Sequence, residues 1–129
     1  MTRYDLDKRL RELGIYSDYY LRKELKPLAE LLQEGERLNC ILTGVHEAER
    51  KMLAITDRRI LLIFCGALVA GEVKVLRRDA VELYEFNKKF LFSSLQIVLK
   101  DGSSYVLTNT QGSMRDFFEW AMKQPLPPG

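Results

Sequence analysis

At 129 residues, with 47% apolar and 29% charged side chains, the chain has the size of one ordinary domain and is too apolar to stay disordered. Lys and Arg total 20 against 18 Asp and Glu, a net charge of +2 spread evenly along the chain, which speaks against a nucleic-acid binder working by phosphate neutralisation. The charged first eight residues and the lack of any apolar run near the roughly 20 residues of a membrane span argue against a signal peptide or anchor, so a cytoplasmic location is expected.

Leu6, Leu10 and Leu13 recur at the spacing of one helical face over residues 4–13, and Gly14 supplies a stop. Ser17 and Asp18 are placed to cap a second helix with the stripe Leu21, Leu25, Leu28 and Leu32. Pro27 predicts a kink or restart there, and Gly35 ends the helical region. Residues 1–35 therefore read as a helical extension.

From Arg37 the period changes to two: Leu38, Cys40 and Leu42 alternate with Asn39 and Thr43. Residues 44–49 read as a polar connection, followed by strands over 52–56 and 59–65 joined through Thr56-Asp57-Arg58. Every position from Ile60 to Phe64 is apolar, as in a strand covered on both faces, either by helices of the same chain or by a partner subunit. Cys40 and Cys65 both lie in apolar runs and read as small buried hydrophobes instead of a disulfide. Residues 66–71 predict a loop with an apolar middle, Ala67 to Ala70, which either docks on a membrane or partner or folds back over the sheet.

Strands are expected over 73–77, 81–86, 92–100 and 105–108, with Asn87-Lys88-Lys89 as a polar turn and Asp101-Gly102 as the strongest hairpin signal. Ser113 and Asp116 approximate a capping box for a last helix reaching about Lys123, with a broad apolar face of Met114, Phe117, Phe118, Trp120, Ala121 and Met122. The Pro-rich residues 125–129 are expected to form a disordered tail.

The expected fold class is α+β: a strongly bent antiparallel barrel or sandwich of about seven strands over residues 36–124, capped by a C-terminal helix, with one or two extra N-terminal helices. The run Leu53-Ala54-Ile55-Thr56-Asp57-Arg58-Arg59-Ile60-Leu61, with Glu34-Gly35-Glu36 ahead of the first strand, resembles the strand-turn-strand signature of bacterial pleckstrin-homology-like domains, particularly the YokE-like group. The resemblance implies a fold and, for most members, no settled function. Eukaryotic relatives by fold bind phosphoinositides through basic residues in the first hairpin loop. Residues 45–50 instead mix His46, Glu47 and Glu49 with Arg50, so that activity is not carried over.

His46, the single histidine, has no acidic or Cys neighbours at metal-ligand spacing, and neither a nucleophile elbow nor a phosphate loop is present; no catalytic, cofactor or metal residues are assigned. The expected function is a non-catalytic module for protein association, chiefly with itself, through strand edges or the N-terminal helices. Tyr16, Tyr19, Tyr20, Leu21, Leu25, Leu61 and Ile63 are the candidate interface. The alternative is peripheral binding to an anionic membrane surface, using the apolar loop and a rim of basic pairs: Arg58-Arg59, Arg77-Arg78 and Lys88-Lys89.

Overall fold

The computed structural model describes residues 1–64 and 73–127. Three helices lead: α1 (Arg3–Glu12), α2 (Tyr16–Tyr19) and α3 (Leu25–Leu31). Seven strands follow: β1 (Leu38–His46), β2 (Glu49–Thr56), β3 (Arg59–Phe64), β4 (Lys74–Arg77), β5 (Val81–Asn87), β6 (Ser93–Leu99) and β7 (Ser104–Thr110). Helix α4 (Arg115–Lys123) closes the chain. The seven strands form one antiparallel sheet in the order β4-β3-β2-β1-β7-β6-β5, with β1 and β7 joined at Val45 and Thr108.

The α1 N-terminus is capped by the Thr2 hydroxyl, which accepts from the Asp5 amide at 3.1 Å, and Gly14 takes the left-handed φ that ends it. The single second helix expected from the leucine stripe is two: the chain leaves helical geometry after Tyr19 and restarts at Leu25, with Pro27 in the first turn of α3. Leu25, Leu28 and Leu32 are buried, whereas Leu21, in the link, is exposed.

Alternation along β2 and β3 divides two cores. Leu53, Ile55, Ile60 and Leu62 point into the barrel, where they meet Leu95, Ile97 and Leu107 of the opposite half and Phe118, Ala121 and Met122 of α4. Met52, Ala54, Leu61 and Ile63 point the other way, onto Leu6, Leu10, Leu25 and Leu28 of the helices. The all-apolar β3 is thus covered on both sides by its own chain. In β1 a bulge between Leu38 and Cys40 shifts the phase, so Leu38 joins the helix-facing core while Cys40 and Leu42 enter the barrel. Arg9 reads this bulge, donating to the Leu38 carbonyl at 2.7 Å and to Asn39 Oδ1 at 3.2 Å.

Two local expectations are corrected. Residues 44–49 are not a loop: β1 runs to His46 and β2 starts at Glu49, around a two-residue turn in which Glu47 and Ala48 both hold positive φ (52° and 63°). Neither residue type announces such a turn. Gly44 lies inside β1, where a Cβ would stand 2.8 Å from Thr110 Cγ2 and 3.0 Å from the Thr108 carbonyl of β7. No side chain caps α4, which is entered through a 3-10 turn over Gly112–Met114 in place of the Ser113 box.

Candidate binding surface

The signature turn is a polar hub. The Thr56 hydroxyl oxygen accepts from the amides of Arg58 (3.0 Å) and Arg59 (2.8 Å) and donates to Glu36 Oε2 (2.7 Å). Arg59 forks onto the same carboxylate, Nε to Oε2 at 2.9 Å and Nη2 to Oε1 at 2.6 Å, and Nη2 reaches the Leu31 carbonyl at 2.8 Å, at the C-terminal end of α3. Asp57 and Arg37 exchange a further pair of bonds. Burial alone would raise the Glu36 carboxyl, but Arg59, the Gln33 amide and the Thr56 hydroxyl hold it below the usual carboxylate range.

Arg78 is also spent internally. Its Nη2 donates to the carbonyls of Met122 (2.9 Å) and Gln124 (2.7 Å), the orphan acceptors ending α4, and its Nη1 lies 3.4 Å from those of Thr56 and Asp57. Arg77 pairs with Asp79, and Arg58 lies 3.9 Å from Asp57. Lys88 and Lys89 lie past the far end of β5 from Arg77 and Arg78, and neither ammonium has a carboxylate partner among the described residues. The six basic side chains therefore occupy two ends of the fold, with Arg59 and Arg78 engaged by the chain itself.

The expected interface set divides similarly. Leu25, Leu61 and Ile63 are 0%, 0% and 3% exposed, inside the helix-facing core. Tyr19 packs there too; its hydroxyl donates to the Ile41 carbonyl at 3.2 Å, and burial pushes its pKa up to about 12. Tyr16 stacks on Tyr20 at 5.3 Å beneath the Arg11 guanidinium. Tyr20 and Leu21 face solvent, as does nearby Tyr4 of α1.

At the mouth of the β1–β2 hairpin, His46, Glu47, Glu49, Lys51, Lys74 and Tyr105 help line an open cleft of about 500 Å³. Its two lysines face two glutamates, so the described lining favours neither sign of ligand. His46 Nδ1 is 3.1 Å from the Val106 carbonyl, and its ring tilts against Tyr105 at 5.8 Å. Among the described residues no group of three His, Cys, Asp or Glu is arranged to hold a metal. Burial raises the Cys40 thiol, making it a poor nucleophile, while Cys65 and the 66–71 loop lie outside the described residues.

Among the described residues, the largest consecutive group of exposed apolar side chains lies where the sequence pattern places only the start of a strand, at Phe92. Phe90, Leu91 and Phe92, between β5 and β6, are 99%, 74% and 64% exposed. The buried Ser93 hydroxyl closes the base of this tip, accepting from the Lys89 amide at 3.1 Å and donating to the Lys89 carbonyl at 3.5 Å. The Lys88 stem lies against Gly112, where a Cβ would come within 3.2 Å of Lys88 Cγ. Phase gives part of the signal: Leu95, Ile97 and buried Ser93 set the inward parity of β6 and Phe90 and Phe92 fall on the opposite one, whereas Leu91 shares the inward parity and is exposed because it lies outside the strand.

With this geometry, similarity to solved structures is informative. The chain superposes on a pleckstrin-homology domain from Shewanella amazonensis (TM-score 0.50, 15% identity, 78% of this chain and 96% of that one). The fold is pleckstrin-homology-like. A DUF1696 family protein with a pleckstrin-homology domain from Shewanella loihica matches at TM-score 0.52 and 16% identity, over 77% of this chain and 94% of the other. The C-terminal domain of an unknown protein from Leishmania infantum matches at 0.57 and 19%, over 75% and 88%. No protein-family model and no curated protein sequence matches the chain. At these identities the likeness concerns the PH-like fold alone. No helix among the described residues is long and apolar enough to cross a membrane.

Proposed function

We propose that this protein is a non-catalytic PH-like binding module that meets another surface through the tip of its β5–β6 hairpin. The observation that supports it is the consecutive exposure of Phe90, Leu91 and Phe92, three large apolar side chains in a row that join neither of the two cores. The test is fractionation, by size and density, of extracts from cells expressing the full tagged chain or its F90S/L91S/F92S variant. The wild type should migrate with a larger or membrane-bound species and the variant as a free 15.0 kDa chain. A wild type that migrates free, or a variant that co-migrates equally well, rejects the reading.

Self-association, the expectation from the sequence, is supported by the exposure of Tyr4, Tyr20 and Leu21 in the N-terminal region and by β4 and β5, the two edges of the sheet. Light scattering of the wild type against Leu21→Ser decides it, since a monomer at all concentrations removes this second reading.

A further inference from the structure

We infer that the β5–β6 tip is a docking site for an anionic lipid surface: Phe90, Leu91 and Phe92 enter the boundary between headgroups and acyl chains, and Lys88 and Lys89 sit among the headgroups. The inference rests on the proposed function and names the partner of its site.

Shape is the first argument. Ser93 pinches the loop at Lys89, so the three apolar side chains project beyond the sheet from a closed base. A convex wedge fits a deformable interface, which needs no preformed groove to receive it. The second argument is area, since three side chains of this size present roughly 500 Å², below the about 800 Å² per partner of a standard protein interface. The third is charge. Lys88 and Lys89 immediately precede the apolar residues and have no carboxylate partner among the described residues. In a two-fold contact between copies the lysine pairs of both tips would face each other, a repulsive arrangement. An anionic membrane supplies an apolar layer under a negative one, matching both halves of the tip. The exposed carboxylates of the hairpin, Glu82 and Glu85, lie back along β5, with Glu85 roughly 10 Å of strand before Lys88.

The test is co-sedimentation of the full chain with vesicles of phosphatidylglycerol and phosphatidylcholine, against vesicles of phosphatidylcholine alone. Two lysines near a charged surface give a preference of roughly thirty-fold for the anionic vesicles. K88Q/K89Q should erase that preference and F90S/L91S/F92S should abolish sedimentation, while circular dichroism melts of both match the wild type. Fluorescence of Phe90→Trp in a Trp120→Phe background should shift to the blue only with anionic vesicles. The inference is overturned if the wild type does not sediment with anionic vesicles, if the serine variant sediments equally, or if the indole emission of the Phe90→Trp chain is unmoved. No vesicle binding together with tip-dependent co-migration in a soluble complex overturns the lipid partner and leaves the proposed function standing. Loss of both overturns both.

Discussion

Replacing Glu36 by Ala would remove the acceptor at the centre of the polar hub. The carboxylate is buried and accepts from four donors: Arg59 Nε, Arg59 Nη2, the Thr56 hydroxyl and the Gln33 amide. Breaking a buried pair by deleting one partner costs about 3–5 kcal/mol. The Arg59 side chain retains 17% exposure and can turn toward water, so we expect about 3 kcal/mol, the lower end. For a domain of this size that is a fall in Tm of roughly 10 °C, measured by calorimetry or circular dichroism at pH 7. The paired change Glu36→Leu with Arg59→Met should cost less than the two single changes summed, because no charge is stranded. The sign of the pH dependence follows from the lowered carboxyl. A group ionised more readily folded than unfolded adds stability above its unfolded pKa, about 4.3, and loses it as pH falls through the folded value. The gap between wild type and Glu36→Gln should therefore be full above about pH 5 and shrink under more acidic conditions. A loss below about 1 kcal/mol for Glu36→Ala, the size of a surface ion pair, would refute the hub.

Arg78→Met strands the carbonyls of Met122 and Gln124 and should cost about 2–3 kcal/mol in urea unfolding, with faster amide exchange in α4. Gly44→Ala forces β1 away from β7 and should destabilise by about 1–3 kcal/mol, whereas a Cβ at Gly102 meets nothing within 4 Å and there only the positive φ opposes Ala. Deleting residues 1–33 uncovers Ile41, Met52, Leu61 and Ile63 and withdraws five buried leucines, on the order of 10 kcal/mol of gross burial. The remainder should be aggregated or unfolded by light scattering and circular dichroism; a soluble, folded 34–129 chain would show the helices to be dispensable.

The order of strands and the closing helix were legible because period-two alternation and Asp101-Gly102 are local signals, and Gly102 does take the positive φ, 91°, that such a turn needs. The Glu47-Ala48 turn was not, since its backbone is imposed by the pairing of β1 with β2 and not by residues that favour it. The apolar run of β3 does mark a doubly covered strand, but a linear pattern cannot say which layer does the covering. Arg58-Arg59 and Arg77-Arg78 look like surface charge for the same reason. Their acceptors, Glu36 and the end of α4, are 23 and 44 to 46 residues away along the chain. The 90–92 tip is hard to recognise because an apolar triplet beside a turn looks like the start of the next strand.

The hub also bears on how the chain is completed during synthesis. The turn at Thr56 is tied through Glu36 and Arg59 to the end of α3, and through Arg78 to residues 122 and 124. A nascent chain that has emerged only through β7 holds Arg78 without its acceptors and a barrel without its lid. Residues 122 and 124 must therefore have emerged before this knot can tighten, so a chain truncated after β7 should yield a product for the quality-control proteases instead of a shortened but working domain.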